Sequence, residues 1–177
     1  MKRLAAVFLF LLIAGPALFA QDKKQANDIL KEACAKAGKE NKKVFVMFTA
    51  SWCGWCHRME NSMNDEDCKK YFDESFITLH LVVDESPDKK NLETPGANEM
   101  RNHYGGDGQG IPFWLVFDKD GNLVADSMMP QAGTKMNIGC PAQDAEVSYF
   151  IEILKKTTKL KEDQLDKIAK RFSKNKG

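Results

Sequence analysis

The sequence predicts an α/β domain in which helices cover both faces of a mixed β-sheet. Residues 44–48 and 77–83 are largely apolar and rich in β-branched and aromatic side chains, which is typical of strands buried on both faces. Helical sequence precedes each of them, whereas Asp118-Lys119-Asp120-Gly121 joins two later strand segments as a hairpin turn. The combination of helix-linked strands with a hairpin indicates a mixed sheet.

Each further element is predicted from the spacing of apolar residues between polar turns. In the first half of the chain this spacing predicts a helix over 26–37, a strand over 44–48, helices over 56–63 and around 68–72, and a strand over 77–83. In the second half it predicts a loop over 85–93, a helix over 97–104, a loop over 105–110, strands over 113–117 and 122–128, a loop over 133–141 and a helix over 142–156. Leu165, Ile168, Ala169 and Phe172 share one stripe of an additional C-terminal helix, 162–172.

The first twenty residues have the layout of a secretory signal peptide. Met1-Lys2-Arg3 is positively charged, residues 4–14 are almost entirely apolar, and residues 15–20 include small side chains before the polar Gln21. The apolar segment is shorter than the roughly 20 residues of a membrane-spanning helix, so an uncleaved membrane anchor is the less favoured alternative. We expect residues 1–20 to be a cleaved signal peptide and the mature protein to be periplasmic or secreted, where a cysteine pair can persist as a disulfide.

Charge is distributed unevenly along the chain. The whole chain has a formal charge of +1, yet residues 155–177 carry nine Lys or Arg against three Asp or Glu, and residues 21–154 are correspondingly acidic. We interpret residues 21–156 as one domain and residues 157–177 as a basic C-terminal helix or tail. A solvated terminal helix is the simpler explanation of this tail, and contact with an anionic membrane or with an acidic partner is the alternative. A secreted protein with an acidic body is not expected to bind nucleic acid.

The pentapeptide Cys53-Gly54-Trp55-Cys56-His57 fits three different chemistries. Two cysteines separated by two residues can form a dithiol redox centre or half of a metal site, and the following histidine completes a c-type haem attachment sequence. The surroundings of the pentapeptide must therefore decide among them.

Two segments resemble the thioredoxin superfamily. The apolar strand 44–48 followed by Ala50-Ser51-Trp52-Cys53-Gly54-Trp55-Cys56 resembles the active-site segment of that superfamily, and Ile111-Pro112 followed by an apolar strand resembles its cis-proline loop. The resemblance covers roughly residues 22–156 and extends to secreted thiol:disulfide interchange proteins. It implies the thioredoxin fold, a cis Ile111–Pro112 bond, protein thiols or disulfides as substrates, and a membrane or periplasmic redox partner.

Redox chemistry is favoured over haem or zinc. Haem attachment sites normally lie in small helical domains, and a zinc site needs about four Cys or His ligands, for which no second cysteine pair is suitably spaced. Cys53 lies at the predicted start of a helix, where free N–H groups and the helix dipole stabilise a thiolate. Cys56, one turn later, can attack a mixed disulfide formed at Cys53. We interpret Cys53 as the nucleophile and Cys56 as the resolving thiol, with neither metal nor other cofactor.

Neighbouring residues are candidates for substrate binding. The residues in this group are predicted to line the approach to the thiols: Trp52, Gly54, Trp55, Ile111 and Pro112. The two tryptophans would form an apolar rim, and the backbone of Ile111 would pair with an extended substrate.

Two histidines are candidates for tuning the thiols. His57 is adjacent to Cys56, and an exposed side chain without a role is its alternative interpretation. The superfamily's buried aspartate and its accompanying lysine are matched here by Met47 and His80. His80 is a candidate proton relay, although a histidine in an apolar strand is more often a core residue.

Three further cysteines lie outside the motif. Cys34 and Cys68 are predicted to be core residues on helices that cover opposite faces of the sheet, so no bridge between them is expected. Cys140 lies in a predicted loop, which the fold implied by the resemblance brings to the same end of the sheet as the motif. It is a candidate third redox thiol or a candidate for an intermolecular disulfide, and an exposed, unreactive thiol is the alternative.

The leading hypothesis is a secreted dithiol:disulfide oxidoreductase that acts on proteins, in the direction of reduction or isomerisation. The alternative is a non-catalytic binding module of the same fold, in which Cys53 and Cys56 form a structural disulfide.

Overall fold

The computed structural model describes residues 23–176. The helices in this range are α1 (Ala26–Glu40), α2 (Gly54–Met63), α3 (Lys69–Ser75), α4 (Ala97–His103), α5 (Asp144–Thr157) and α6 (Glu162–Phe172). The strands are β1 (Lys43–Thr49), β2 (Phe76–Val82), β3 (Phe113–Phe117), β4 (Leu123–Asp126), β5 (Met128–Gln131) and β6 (Thr134–Asn137). Two short 3₁₀ helices cover Pro87–Leu92 and Ser173–Asn175. The predicted signal peptide lies outside the described residues.

The main sheet is mixed, as the sequence predicts. Its strand order is β2-β1-β3-β4, with β1 parallel to β2 and antiparallel to β3, and with β3 antiparallel to β4. Val46 in β1 lies opposite Leu79 on one side and Leu115 on the other. The strand that leads to the CxxC motif is therefore central and buried.

Alternation along β1 divides the core into two clusters, because successive side chains of a strand point to opposite faces. Val44, Val46 and Phe48 pack with residues of α1 and α4 on one face. Phe45 and Met47 belong to the cluster on the other face, to which α2, α3, α5 and α6 contribute. Helices thus cover both faces, as predicted.

The additional C-terminal helix is part of the second cluster. Leu165, Ile168 and Phe172 of α6 are buried, and the ring of Phe172 packs against Phe72 and Phe150. The lysines of α6 consequently face solvent, and their contact with a membrane stays a prediction.

The structure differs from the predicted elements between residues 122 and 141. The predicted strand 122–128 breaks at Ser127, whose backbone and hydroxyl bond to Trp114, and the chain then enters a second, two-stranded sheet formed by β5 and β6. The predicted loop over 133–141 therefore contains a strand. Pro130 lies within β5, and proline in an apolar run counts against a strand in sequence analysis although a small peripheral sheet tolerates it.

Two smaller differences concern other segments. Helix α1 continues past Gly38 to Glu40 and ends where Asn41 adopts a left-handed conformation, with φ of 54°, which asparagine tolerates better than most residues. The predicted loop over 85–93 contains the 3₁₀ helix Pro87–Leu92.

Cys34 and Cys68 are buried in the two different core clusters, and neither forms a disulfide. The prediction that both are unbridged core residues is confirmed. Among residues 23–176, no helix combines the length and apolarity needed to cross a membrane.

Candidate active site

Cys53 and Cys56 form a disulfide at the start of α2. The chain leaves β1 at Thr49 and turns once, with the N–H of Cys53 donating to the carbonyl of Ala50 at 3.1 Å. Cys53 is the N-cap of the helix, and its Sγ accepts a hydrogen bond from the N–H of Cys56 at 3.1 Å. A thiolate at Cys53 would meet the same N–H and the positive end of the helix dipole.

The disulfide is almost completely covered. Cys53 is 3% exposed and Cys56 is 1% exposed, and both pack against Ala50 and Ile111. The Sγ atom of Cys53 lies 3.6 Å from the carbonyl oxygen of Ile111. A substrate must therefore approach the sulfur of Cys53 alongside the backbone of Ile111.

Two exposed tryptophans flank this buried disulfide. Trp52 is 59% exposed and Trp55 is 50% exposed. The indole N–H of Trp52 donates to the carbonyl of Asp84 at 2.8 Å, and the guanidinium carbon of Arg58 lies 4.5 Å from the ring centre of Trp55. Both rings are thus held at the surface in fixed orientations by neighbouring polar groups.

The Ile111–Pro112 bond is cis, as predicted. A side chain from the second sheet supports this loop: Nδ2 of Asn137 donates to the carbonyls of Gly110 at 2.7 Å and Pro112 at 3.1 Å. Oδ1 of Asn137 accepts from the N–H of Gly139 at 3.1 Å. Asn137, which sequence analysis did not single out, therefore braces the proline loop on both sides of its cis bond.

A groove of about 350 Å³ runs beside the disulfide. Its lining consists of Trp55 on α2, the loop from Gln109 to Pro112, and side chains from residues 137–146. We refer to Trp55 and to the segment 137–146 as its two walls, and to the loop as its floor. We call this space the substrate groove. Of the predicted substrate-binding residues, Trp55, Ile111 and Pro112 line it, whereas Trp52 and Gly54 do not belong to its lining.

A buried carboxylate supports the backbone in front of the disulfide. Glu85 is 4% exposed, and its two oxygens accept from the N–H of Ser51 at 2.6 Å and from the hydroxyl of Ser51 at 2.7 Å. The N–H of Glu85 in turn donates to the carboxylate of Glu93 at 2.8 Å. Glu85 is a residue of the site that the sequence did not predict, because its partner Ser51 is 34 residues away in the chain.

The two histidines differ from each other in their surroundings. The exposed ring of His57 places Nε2 at 3.1 Å from the carbonyl oxygen of Ser51. His80 is also exposed, with Nε2 at 3.7 Å from a carboxylate oxygen of Glu60. The interpretation of His80 as a core residue is wrong, because β2 lies at the edge of the main sheet. Its role as a proton relay stays a prediction.

Met47 occupies the position at which the resemblance implies a buried aspartate. Its side chain is 1% exposed and belongs to the apolar cluster on the α2 face of the sheet. The strand below the disulfide therefore offers an apolar thioether there rather than a proton acceptor.

Cys140 lines the substrate groove, and it is buried. Burial raises the pKa of its thiol from 9.0 to about 12, so the thiol is protonated at neutral pH. The alternative interpretation of Cys140 as an exposed thiol is wrong, because the segment after β6 is held inside by Asn175, whose Nδ2 lies 3.4 Å from the sulfur. A redox role for Cys140 stays a prediction, against which its burial counts.

The residues that the structure describes hold no group of three or more His, Cys, Asp or Glu side chains arranged to bind a metal ion.

Comparison with known proteins places the site in a family context. A family model described as thioredoxin-like matches residues 25–119. A solved structure of a disulphide isomerase from Xylella fastidiosa Temecula1 is 19% identical, covers 92% of this chain and 100% of that chain, and superposes with a TM-score of 0.50. The oxidised C-terminal domain of DsbD from Neisseria meningitidis is 22% identical, covers 76% of this chain and 98% of that chain, and has a TM-score of 0.45.

A curated relative matches a shorter segment. Spermatogenesis-associated protein 20 of Homo sapiens is 39% identical over 59 residues, which are 33% of this chain and 8% of that protein. The chain thus spans about a twelfth of the length of this relative.

Proposed function

We propose that this chain, which belongs to the thioredoxin-like family, is a thiol–disulfide oxidoreductase that reduces or isomerises disulfides of proteins outside the cytoplasm. The observation that carries the proposal is the disulfide at the N-cap of α2, which lies under the Ile111 backbone and beside the substrate groove. The alternative is a binding module in which Cys53 and Cys56 form a structural disulfide. The cysteine substitutions described below distinguish the two functions.

The reaction begins with the reduced enzyme. The Cys53 thiolate attacks one sulfur of a substrate disulfide, which forms a mixed disulfide and releases the other substrate sulfur as a thiolate. Cys56 then loses its proton and attacks the Cys53 sulfur, which releases the second substrate thiol and closes the Cys53–Cys56 disulfide. A partner that donates two electrons and two protons restores the dithiol, and we propose a membrane or periplasmic redox protein for this role.

The apolar surroundings of Cys56 bear on the direction of the reaction. Cys56 is buried, and Met47 lies where a carboxylate would otherwise accept its proton. Met47 cannot accept a proton from Cys56, so Cys56 forms its attacking thiolate more slowly. The mixed disulfide at Cys53 therefore has a longer lifetime. A long-lived mixed disulfide gives a substrate time to rearrange its own disulfides, which supports isomerisation beside reduction.

Location outside the cytoplasm rests on the pattern of residues 1–20, a positive start followed by an apolar segment and small residues. An oxidising compartment allows disulfides to accumulate in substrates of such an enzyme.

Substitution of the two cysteines tests the proposal. We expect the wild-type protein to accelerate the reduction of insulin by dithiothreitol, and Cys53→Ser to lower the rate to background because the attacking sulfur is gone. Cys56→Ser removes only the resolving thiol, so it should accumulate mixed disulfides that are visible on a non-reducing gel. Cys34→Ala, a buried cysteine on the opposite face of the sheet, is the matched control and should behave like the wild type. A wild-type rate at background, with no mixed disulfide for Cys56→Ser, would favour the binding module instead.

A further inference from the structure

Asn175 is a buried polar residue in the 3₁₀ helix that follows α6. It is 3% exposed, and its side-chain amide is engaged on both ends. Nδ2 lies 3.3 Å from the carbonyl oxygen of Pro141 and 3.4 Å from Sγ of Cys140. Oδ1 lies 3.0 Å from the hydroxyl of Ser62 and 3.3 Å from Nη1 of Arg171. An amide supplies donors at one end and an acceptor at the other, and this site uses both.

These contacts connect Asn175 to the helix that carries the disulfide. Ser62 is on α2, and the backbone carbonyl of Asn175 also accepts from Nη1 of Arg58 on the same helix at 2.8 Å. The guanidinium of Arg58 packs over the ring of Trp55, which forms one wall of the substrate groove. The side chain of Asn175 therefore holds α2 through Ser62, and its backbone carbonyl holds the guanidinium that packs on Trp55.

The other contacts of Asn175 reach the opposite wall of the groove. Cys140 and Ala142 are part of that wall, and Pro141 is the residue between them in the chain. The donation from Asn175 to the Pro141 carbonyl joins this wall to the amide that also contacts α2. The side chain of Asn175 thus joins this wall to Ser62 of α2, the helix that also carries Trp55.

The segment that carries Asn175 is itself anchored. Arg171 donates to a carboxylate oxygen of Asp65 at 2.6 Å, and this interaction holds the pKa of Asp65 below its usual range. Lys176 forms an ion pair with Asp144 at the start of α5. Two ion pairs, one on each side of Asn175 in the chain, therefore attach this C-terminal segment to the domain.

We propose that Asn175 is a positioning residue for protein substrates: it sets the separation of the two walls of the substrate groove. The proposal rests on the function proposed above. A groove whose walls are already held apart at the correct distance loses less entropy when an extended chain binds, so its affinity is higher. Asn175 does not touch the cysteines of the disulfide, so the chemical step at Cys53 does not depend on it.

Substitution of Asn175 should therefore separate binding from chemistry. The measurement is the single-turnover oxidation of reduced enzyme, followed by tryptophan fluorescence, with insulin as a protein disulfide and cystamine as a disulfide too small to span the groove. For Asn175→Ala we expect the half-saturating insulin concentration to rise roughly fivefold to tenfold, as for the loss of one or two ordinary hydrogen bonds. The limiting rate with insulin and the rate with cystamine should stay within about twofold, since these report the chemical step. Lys174→Ala, which changes the exposed neighbouring residue, should match the wild type.

Alkylation of the free thiols provides a measurement that is independent of activity. In the oxidised protein, iodoacetamide can react only with Cys34, Cys68 and Cys140. We expect Asn175→Ala to accelerate labelling of Cys140, identified by mass spectrometry, while Cys34 and Cys68 label at wild-type rates. Faster labelling of all three thiols would show general unfolding, and then Asn175→Asp, which keeps the volume but lacks the two donor N–H groups, replaces the alanine variant in both assays.

Two results would overturn the proposal. One is an unchanged half-saturating insulin concentration, and the other is an equal loss with insulin and cystamine in a variant that remains folded. Failure of the wild type to react with insulin would instead contradict the proposed function, and the labelling of Cys140 would still report whether Asn175 holds the wall.

Discussion

Two hydrogen bonds join Glu85 to Ser51, two residues before Cys53. Both carboxylate oxygens of Glu85 are used, one by the N–H and one by the hydroxyl of Ser51. Trp52, the next residue, is held by the carbonyl of Asp84 through its indole N–H. The turn between β1 and Cys53 is therefore fixed from the end of β2, at the level of single hydrogen bonds.

Glu85→Ala should lower the free energy of unfolding of the oxidised protein by about 1–3 kcal/mol, because the N–H and the hydroxyl of Ser51 lose the carboxylate that accepts both of their hydrogen bonds. Urea denaturation followed by circular dichroism measures the change. Glu85→Gln retains one acceptor oxygen and should lose less. Asp88→Ala, at an exposed position in the neighbouring 3₁₀ helix, should stay within about 0.5 kcal/mol of the wild type. An effect of Glu85→Ala as small as that of the control would show that the contact does not stabilise the turn.

The residues of the site that sequence analysis identified carry local signals. The spacing of Cys53 and Cys56 is visible in four consecutive residues, and Ile111-Pro112 was identified by its resemblance to a known loop. Glu85 is 34 residues away from Ser51 in sequence, and no pattern of charge or periodicity links the two. Such a contact depends on where β1 and β2 end in space, which a single sequence does not specify.

At the level of elements, the hairpin of β5 and β6 is the part of the structure that shapes the active site most directly. Met128 pairs with Asn137 across this small sheet, which places the side chain of Asn137 against the cis-proline loop. The N–H of Ile138 donates to the carbonyl of Ser127, which ties the hairpin back to the end of β4. The hairpin is therefore fixed to the main sheet at one end, and through Asn137 it fixes the loop that forms the floor of the substrate groove.

Asn137→Ala removes three hydrogen bonds of this brace. We expect the free energy of unfolding to fall by about 1–3 kcal/mol and the half-saturating insulin concentration to rise, because the loop from Gln109 to Pro112 forms the floor of the groove. Lys135→Ala, at an exposed position of the same strand, is the control for changes in the hairpin itself. Equal stability and equal insulin kinetics of the two variants would contradict a bracing role for Asn137.

The predicted helices and the central strands of the main sheet formed where apolar residues recur with a helical period or make a continuous run. The period is strong in α6, whose Leu165, Ile168 and Phe172 are all buried, and the run is continuous in β1. Neither pattern is present in residues 128–137, which contain a proline, a glycine and mostly exposed side chains. These short strands are stabilised by pairing with each other rather than by burial, and that pairing leaves no periodic signal.

On the scale of the whole molecule, burial raises the pKa of each of the three cysteine thiols outside the motif. Cys68 and Cys140 both belong to the cluster that contains α5 and α6, and burial is the main cause of the raised pKa of each. The pKa of Cys68 rises from 9.0 to about 11, and that of Cys140 rises to about 12. The packing of the C-terminal helix onto the domain thus keeps two thiols protonated far into the alkaline range.

This protonation makes the stability of the whole protein depend on pH above about 9. Between pH 9 and pH 11 the unfolded chain releases both thiol protons whereas the folded chain retains them, so the free energy of unfolding falls as pH rises. Together the two thiols lower the free energy of unfolding by at most about 2.7 kcal/mol per pH unit in this window, and they have no effect below it.

Urea denaturation of the oxidised protein at about pH 8 and about pH 10.5 measures the loss of unfolding free energy. The double variant Cys68→Ala, Cys140→Ala should lose clearly less of it over the same interval. The disulfide-bonded Cys53 and Cys56 do not titrate, and Cys34, the lysines and the tyrosines are common to both proteins, so they cancel in the comparison. Parallel losses in the wild type and the double variant would show that the two thiols ionise as freely in the folded protein as in the unfolded chain.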